Sequence, residues 1–219
     1  KQTDSQPLFE EKSHHHKKKD KKKASKDEST TTDTDDNKNN VHKKKHKKKV
    51  QILDKESRDT LIQKANKHYN GEGVSVNKEK AVSYFEKAAE AGDLDSQIKC
   101  AKMFYEGEDG IGVDKEKSLR YFMMAAYKGD VESMYKCGLM LYEGDGCKID
   151  KEKAAEYFKQ ASLNDHAESM LHYAKMLYNG DGIEVNKRES SDYFQKAAQK
   201  GLTEALYQYS VMLQNGEGV

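Results

Sequence analysis

The stretch that decides the fold is Asp150-Lys-Glu-Lys-Ala-Ala-Glu-Tyr157-Phe158-Lys-Gln-Ala161, because close copies of it recur along the chain. The copies are Asn77-Lys-Glu-Lys-Ala-Val-Ser-Tyr84-Phe85-Glu-Lys-Ala88, Asp114-Lys-Glu-Lys-Ser-Leu-Arg-Tyr121-Phe122-Met-Met-Ala125 and Asn186-Lys-Arg-Glu-Ser-Ser-Asp-Tyr193-Phe194-Gln-Lys-Ala197. Their tyrosines are 37, 36 and 36 residues apart. Self-similarity at a fixed period of roughly 20 to 50 residues is typical of stacked repeat proteins.

Each copy belongs to a longer unit of two predicted helices, which we call helix A and helix B, with a glycine-containing loop between them. Helix A ends at a glycine, the residue that takes the left-handed conformation at a helix C-terminus without steric cost. These glycines are Gly71, Gly107, Gly144, Gly180 and Gly216. Helix B begins after an Asn or Asp whose side chain can accept a hydrogen bond from a free backbone N–H. These predicted N-caps are Asn77, Asp114, Asp150 and Asn186.

Several columns of equivalent residues are predicted to form the core between the helices. Helix A has a column of small residues that lets a neighbouring helix approach closely, at Ala65, Ala101, Gly138, Ala174 and Ser210. For the methionines we predict buried packing rather than an adaptable binding strip; they are Met103, Met140, Met176 and Met212. The Tyr-Phe and Ala-Ala pairs of helix B are predicted to fill the same core. Asp165 replaces the glycine that ends helix B elsewhere, so we expect a weaker or differently shaped helix end there.

The combined pattern resembles the Sel1-like repeat family, a relative of the tetratricopeptide repeats. The resemblance rests on Gly-x-Gly followed by an apolar residue, and then on Asp-x-x-Lys-Ala-x-x-Tyr-Phe-x-Lys-Ala-Ala-x-x-Gly. It covers about residues 57–219, and it departs from the family pattern at Asp165, at His68 and in lacking the paired cysteines of the bacterial cysteine-rich members. The resemblance implies an all-α fold, a right-handed α-α superhelix (solenoid) of antiparallel helix pairs. It also implies use as an adaptor that gathers other proteins.

The predicted organisation is a disordered tail followed by a repeat domain. The tail covers 1–54 and the repeats cover 55–219, with units at 57–92, 93–129, 130–165 and 166–201 and a partial unit at 202–219. Residues 1–50 contain sixteen lysines against nine Asp and Glu, a net charge of +7, whereas the whole chain has +1. The remaining residues therefore carry −6. A segment so charged and so poor in apolar residues cannot bury enough surface to offset its ordering entropy.

Two basic runs in the tail, at 17–23 and 43–49, are typical of interaction arms, nuclear-import signals or nucleic-acid contacts. A solvated spacer is an equally open interpretation. The second run contains Lys43, Lys44, Lys45, Lys47, Lys48 and Lys49. Histidines near these runs imply no fixed ligand geometry, so neither a metal nor a cofactor is predicted.

Cysteine usage and hydropathy bear on location. Cys100 and Cys137 occupy equivalent positions, so stacking would place them about 10 Å apart, too far for a disulfide. We predict buried reduced thiols and a cytoplasmic location, with a nuclear one left open by the basic runs. No stretch reaches the roughly 20 apolar residues of a membrane-spanning helix. The chain starts at Lys1 and stops inside a repeat, so we expect it to be part of a longer protein.

The candidate partner-binding residues lie in two variable columns of helix A, three residues apart. Solenoids usually bind partners on the concave wall that helix A lines. We call this set the helix-A strip; it comprises Lys99, Lys102, Lys136, Leu139, His172 and Lys175. Because its lysines align on an otherwise acidic domain, the hypothesis is that it receives an acidic segment of a partner. An ordinary solvated face is the alternative.

Catalysis has little support in the sequence, and no enzymatic activity is predicted. The Gly-Glu-Gly and Gly-Asp-Gly loops lack the following Gly-Lys-Ser/Thr of a phosphate-binding loop. They also lack the ligand spacing of an EF-hand. Acidic residues repeat in every loop, which indicates a role in the loop rather than in one active site; they are Glu72, Asp109, Asp145, Asp181 and Glu217.

The favoured function is an interaction scaffold or adaptor that binds a peptide or protein segment. One alternative is a nuclear or nucleic-acid-associated protein that acts through the basic tail. Another is the regulatory repeat region of a larger protein whose enzyme domain lies outside this sequence. The oligomeric state stays open.

Overall fold

The computed structural model describes residues 57–218, which form an all-α solenoid of nine helices. The predicted tail at 1–54 and both of its basic runs lie outside the described residues. From α2 onward each helix packs against the next one along the chain. The helices are α1 (57–70), α2 (Lys78–Glu90), α3 (Leu94–Glu106), α4 (Lys115–Tyr127), α5 (Val131–Glu143), α6 (Lys151–Leu163), α7 (Ala167–Asn179), α8 (Lys187–Gln199) and α9 (Thr203–Asn215). The odd-numbered helices are of type A and the even-numbered ones of type B.

The predicted N-caps of helix B are confirmed. Asn77 accepts a hydrogen bond from the backbone N–H of Lys80 at 2.8 Å, and Asp114, Asp150 and Asn186 do the same for their helices. Each cap satisfies a backbone donor that would otherwise have no partner in the first turn. Within residues 57–218, every helix is too short or too polar to span a lipid bilayer.

The helix ends confirm one prediction and correct another. Gly144, Gly180 and Gly216 end their helices with φ of 77°, 77° and 68°, the left-handed conformation predicted for helix A. Gly107 departs from this prediction, since its φ of 74° is combined with an extended ψ of 152°. Asp165 has φ of 67°, and it is the one non-glycine residue with positive φ among the described residues. The N–H of His166 still reaches Ala161 O, as that of Asp93 reaches Ala88 O. The expectation of a differently shaped end is therefore wrong: Asp165 takes the glycine conformation and carries its steric cost.

The core is built from the predicted columns. Met103, Met140, Met176 and Met212 are each 2 % exposed, which confirms the packing interpretation of this column. The phenylalanines of helix B, at 85, 122, 158 and 194, are at most 2 % exposed. Full burial of a large apolar side chain contributes roughly 1.5–3 kcal/mol, so the repeated columns supply the stabilisation of every unit.

The extra residue of the second unit is absorbed in the loop after α3. Glu108 and Ile111 exchange two backbone hydrogen bonds, at 3.1 and 2.7 Å, and so close a tight turn around the inserted position. Ile111 stays 7 % exposed as the apolar plug of the loop. The insertion therefore leaves the helix packing of the unit unchanged.

The last helix exposes part of its core face. Leu206, Tyr207 and Leu213 are 54 %, 65 % and 47 % exposed. Their equivalents in α7 are Met170, Leu171 and Leu177, all buried. The apolar face that is buried in α7 is therefore partly exposed in α9.

Candidate functional site

The helix-A strip lies on one side of α3, α5 and α7. Its members are the sixth and ninth residues of each helix, whereas the seventh, eighth, tenth and eleventh residues face the core. The seventh residues include Cys100 and Cys137, which are free and fully buried. Burial raises the pKa of Cys100 to about 12. The strip is thus the surface of helices whose other side is fixed by packing.

Lys99 and Lys102 are the two strip lysines of α3, and they differ in environment. The Lys99 Nζ lies 3.7 Å from the centroid of the Tyr69 ring and 4.3 Å from that of Phe85. Burial lowers the pKa of this ammonium, and Glu108 opposes the shift. Lys102 is exposed, and neither lysine forms an ion pair with another side chain in the described part of the chain. Both are therefore free to meet a carboxylate.

The lysines of α5 and α7 already have acidic neighbours. Lys136 Nζ lies 3.9 Å from the Glu132 carboxylate within one helix. Lys175 Nζ lies 2.5 Å from Glu204 of the next unit. Exposed pairs of this kind contribute about 0–1 kcal/mol each. They nonetheless partly neutralise the positive charge of the strip at α5 and α7.

His172 and Leu139 contribute an aromatic and an apolar surface rather than charge. The His172 ring stacks on Phe158 with centroids 4.9 Å apart and planes 12° apart. Burial and the nearby Lys175 ammonium lower the pKa of His172, so the ring is neutral at pH 7. Leu139 is half-buried against the core. The strip is therefore cationic at α3 and becomes mixed in character towards α7.

A set of contacts between repeats was not predicted. In each of four steps the first lysine of helix B approaches an acidic residue in the loop of the next unit, and a tyrosine of helix A lies beside that lysine. We call this set the inter-repeat ladder. Its steps are Tyr69, Lys78 and Glu108; Tyr105, Lys115 and Asp145; Tyr142, Lys151 and Asp181; and Tyr178, Lys187 and Glu217.

The third step shows the geometry of the ladder. The Asp181 carboxylate accepts from Tyr142 Oη and from Lys151 Nζ, both at 2.8 Å. The hydrogen bonds from Lys151 and Tyr142 hold the pKa of Asp181 below its ordinary value. The hydrogen bond to Asp181 also raises the pKa of Lys151 and that of Tyr142. The acidic residues of the loops, which were predicted to have a role in the loop, thus link neighbouring units.

The ladder corrects the predicted set of loop acids in the second unit. Glu108, not Asp109, takes the ladder position: its carboxylate lies 2.9 Å from Lys78 Nζ and accepts from Tyr69 Oη at 3.1 Å. Asp109 is exposed in the same loop. The extra residue of this loop made the alignment ambiguous. The sequence did contain a signal for the ladder: the tyrosine, the lysine and the acid each recur from unit to unit. In the third step the tyrosine lies 39 residues and the lysine 30 residues before the acid.

His166 is a second feature that sequence reasoning missed. It caps α7, where Asp93 and Asp130 cap the equivalent helices, and its Nδ1 accepts from the backbone N–H of Ser169 at 3.2 Å. Its Nε2 lies 3.5 Å from Glu132 and 3.7 Å from Glu168. In residues 57–218 no three His, Cys, Asp or Glu side chains are grouped so that they could hold a metal ion.

Comparison with known proteins shows which family has this repeat architecture. The Sel1 repeat model matches residues 68–93, 94–130, 131–166, 167–202 and 203–219. No curated protein sequence matches the chain. The crystal structure of c5321, a protective antigen of uropathogenic Escherichia coli with an SLR fold, is 28 % identical with a TM-score of 0.64. That match covers 76 % of this chain and 36 % of the antigen.

A second solved structure has the same fold. A Sel1 repeat protein from Oxalobacter formigenes is 20 % identical with a TM-score of 0.60, over 74 % of this chain and 64 % of that protein. The chain thus spans about a third of the first protein and under two thirds of the second. Sel1 repeats are a scaffold fold that generally mediates protein interactions. The family model covers more than half of the sequence, and the chain belongs to the Sel1 repeat family.

Proposed function

We propose that this chain is an interaction scaffold that binds an acidic segment of a partner protein along the helix-A strip, beginning at Lys99 and Lys102. The observation that carries the proposal is the unpaired state of these two lysines within the described residues. Lys136 and Lys175 have carboxylates at 3.9 and 2.5 Å, whereas Lys99 and Lys102 have none in an ion pair. An incoming carboxylate would pair with Lys99 or Lys102 of α3 without displacing an existing carboxylate partner.

Variation along the strip supports the same proposal. The core columns of helix A repeat a residue type, as the four buried methionines do. By contrast, the sixth residues read Lys, Lys, His and Gln from α3 to α9, and the ninth read Lys, Leu, Lys and Val. In a solenoid each unit contacts only its neighbours, so accessible positions that vary between units give each stretch of surface its own chemistry. The strip therefore offers a directional surface, cationic at α3 and mixed in character further on.

The geometry of Lys99 favours a carboxylate over a neutral ligand. Its ammonium lies against two aromatic rings, where the attraction between a cation and an aromatic face holds it in place. Partial burial weakens its hydration, which strengthens an interaction with an incoming anion. Lysine acts here as a point charge and does not demand the bidentate geometry that arginine would.

The proposed location is cytoplasmic, and the proposed scaffold needs no catalytic group. The nucleic-acid alternative rests on Lys43 to Lys49, which lie outside the described residues. The proposed partner segment is acidic, and the wall of the solenoid that it contacts is proposed to be the concave one.

The test compares three forms of the full chain as bait in lysate of the source organism. One is wild type, one carries Lys99→Glu with Lys102→Glu, and one carries Lys80→Glu with Lys87→Glu on the exposed side of α2. Partners of the strip are captured by the wild type and the α2 variant and lost from the α3 variant, as measured by quantitative mass spectrometry. Equal capture by all three forms contradicts the proposal.

A further inference from the structure

A patch on helix B departs from the repeat pattern. Tyr127 is 79 % exposed and Leu163 is 71 % exposed, and each is the last residue of its helix. The equivalent residues of α2 and α8 are Glu90 and Gln199. A large apolar side chain at a position that other units keep polar is not required by the repeat fold. It adds exposed apolar surface, which is unfavourable unless something covers it.

Met124 extends this apolar surface along α4. It lies three residues before Tyr127, and residues at this spacing are neighbours on a helix surface. Met124 is half-buried against the core, and its equivalents are Lys87, Gln160 and Lys196. We call Met124, Tyr127 and Leu163 the helix-B patch.

The two halves of the helix-B patch come from consecutive units that stack in register. Lys128, which follows Tyr127 at the end of α4, donates to the carbonyl of Gly92, which lies in the turn after α2 in the preceding unit. Lys200, which follows α8, likewise reaches Asp165 of the preceding unit, which follows α6. These contacts join the ends of α2 and α4 and the ends of α6 and α8. Because the units repeat, we expect the end of α4 with Tyr127 and the end of α6 with Leu163 to be neighbours as well. Two neighbouring helix ends suit two anchoring side chains of one short segment.

The charge beside the patch is positive. Going back along the same face of α4, the residues before Met124 are Arg120 and Lys117, and Glu116 lies at the far end of the helix. The positions of Tyr127, Met124, Arg120 and Lys117 hold no carboxylate in α4. Each of the other B helices has at least one carboxylate at the equivalent positions: Glu90 in α2, Glu156 in α6, and Glu189 and Asp192 in α8. Lys117 lies 3.5 Å from Glu86, and Arg120 donates to Tyr121 Oη at 3.2 Å. Arg120 has no carboxylate among these contacts.

We propose that the helix-B patch is a second docking surface, which binds a short acidic segment of a partner protein through two apolar anchors. The anchors cover Tyr127 and Leu163, and the acidic residues of the segment meet Arg120 and Lys128. Charge complementarity argues for this occupant over an anionic membrane surface. Glu152, Glu156 and Asp192 are exposed on the neighbouring helices and would be repelled by a broad anionic surface.

This surface is separate from the helix-A strip, so one chain would hold two partner segments on different sides. The proposal does not depend on the function proposed for the strip. Each surface can be removed without altering the other.

The test is a binding titration of a fluorescent 14-residue peptide, Glu-Glu-Leu-Leu-Glu-Glu-Leu written twice, against the full chain. The main variant carries Tyr127→Gln with Leu163→Gln, which installs the residue that α8 already has at Gln199 and so preserves the fold. A second variant, Arg120→Glu, installs the residue found at Glu156. We expect each variant to weaken binding by about tenfold or more, as truncated interface anchors do.

Two controls make the result decisive. The matched control Lys64→Glu with Lys67→Glu, which reverses two exposed lysines of α1, leaves binding of this peptide unchanged. The variant Lys99→Glu with Lys102→Glu, here called the α3 variant, reports any binding of the peptide at the helix-A strip. The peptide with lysine in place of every glutamate does not bind. The proposal is overturned if the patch variants bind like the wild type, if only the α3 variant loses binding, or if phosphatidylserine vesicles bind the chain and the acidic peptide does not.

Discussion

Tyr142 donates its phenolic hydrogen to the carboxylate of Asp181, which lies 39 residues further along the chain and in the next repeat, at 2.8 Å. The same tyrosine–acid hydrogen bond recurs at Tyr69 with Glu108 and at Tyr178 with Glu217. In a solenoid, each unit is stabilised only by its own packing and by contacts with its neighbours. The inter-repeat ladder is a polar contribution to those contacts, and it holds each loop at a fixed distance from the preceding unit.

Removing one ladder hydroxyl should weaken the stack. We expect Tyr142→Phe to lower the free energy of unfolding by about 1 kcal/mol, because a hydrogen bond to a charged group is lost while the ring stays in place. Urea denaturation followed by circular dichroism measures the change. Tyr127→Phe is the matched control, since the Tyr127 side chain is 79 % exposed and should leave stability unchanged. Equal effects of the two substitutions would contradict a role for the ladder.

Stability should fall in acid through Asp181. Its hydrogen bonds from Lys151 and Tyr142 hold its pKa below the ordinary value of 3.8. A depressed folded-state pKa contributes stability that is present above 3.8 and is lost as the pH falls through the folded value. We therefore expect Asp181→Asn to be less stable than wild type at pH 6, with the difference shrinking towards pH 2. A difference that stays constant from pH 6 to pH 2 would exclude this linkage.

The helix end at Asp165 should be improved by glycine. Asp165 has φ of 67° where the other units have glycine, and a side chain in this region is strained. Asp165→Gly removes that strain but adds flexibility to the unfolded chain, and it removes the exposed ion pair with Lys200, which contributes little. We therefore expect a net stabilisation of about 0.5 kcal/mol. Asp165→Val should instead destabilise by about 1 kcal/mol or more, because a β-branched residue tolerates this conformation poorly. Thermal unfolding of both variants checks the order, and a more stable valine variant would refute it.

The small column of helix A sets the distance between helices. A Cβ on Gly138 would lie 2.7 Å from Cε1 of Phe158. Overpacking of this kind costs about 1–3 kcal/mol, and the better helix propensity of alanine returns about 1 kcal/mol. We expect Gly138→Ala to destabilise by about 1 kcal/mol in urea titrations. Gly112→Ala is the control, since nothing lies within 4 Å of its added Cβ; a loss of stability there would show that the effect is not one of packing.

Much of the fold could be predicted because each local signal recurs in several units. The N-caps of helix B, the glycines that end helix A and the buried methionines each appear as a column, and repetition distinguishes them from chance. Asp165 shows the limit of this reasoning. Its conformation follows from the packing of the flanking helices, which override the preference of a single residue, and the sequence shows only that preference.

The candidate site was harder to predict because it depends on side chains from different units. The sequence shows that Lys99, Lys136 and Lys175 are aligned, but not that Glu204 approaches Lys175 or that Phe85 lies beneath Lys99. The ladder was missed for the same reason: its three members were visible as columns, and their contact needed the offset of one repeat. The predicted strip residues lie on one side of α3, α5 and α7, whereas tertiary contacts decide which of their charges lack a partner among the described residues.

The most direct measurement places a photo-crosslinking residue at position 102 on the helix-A strip or at position 80 on α2 of the full chain. Each protein is irradiated in lysate of the source organism, and crosslinked peptides are identified by mass spectrometry. We expect crosslinks from position 102 to an acidic partner segment that are absent from position 80 and are lost when Lys99→Glu is added. Crosslinks from position 80 alone, or crosslinks from position 102 that survive Lys99→Glu, would contradict it.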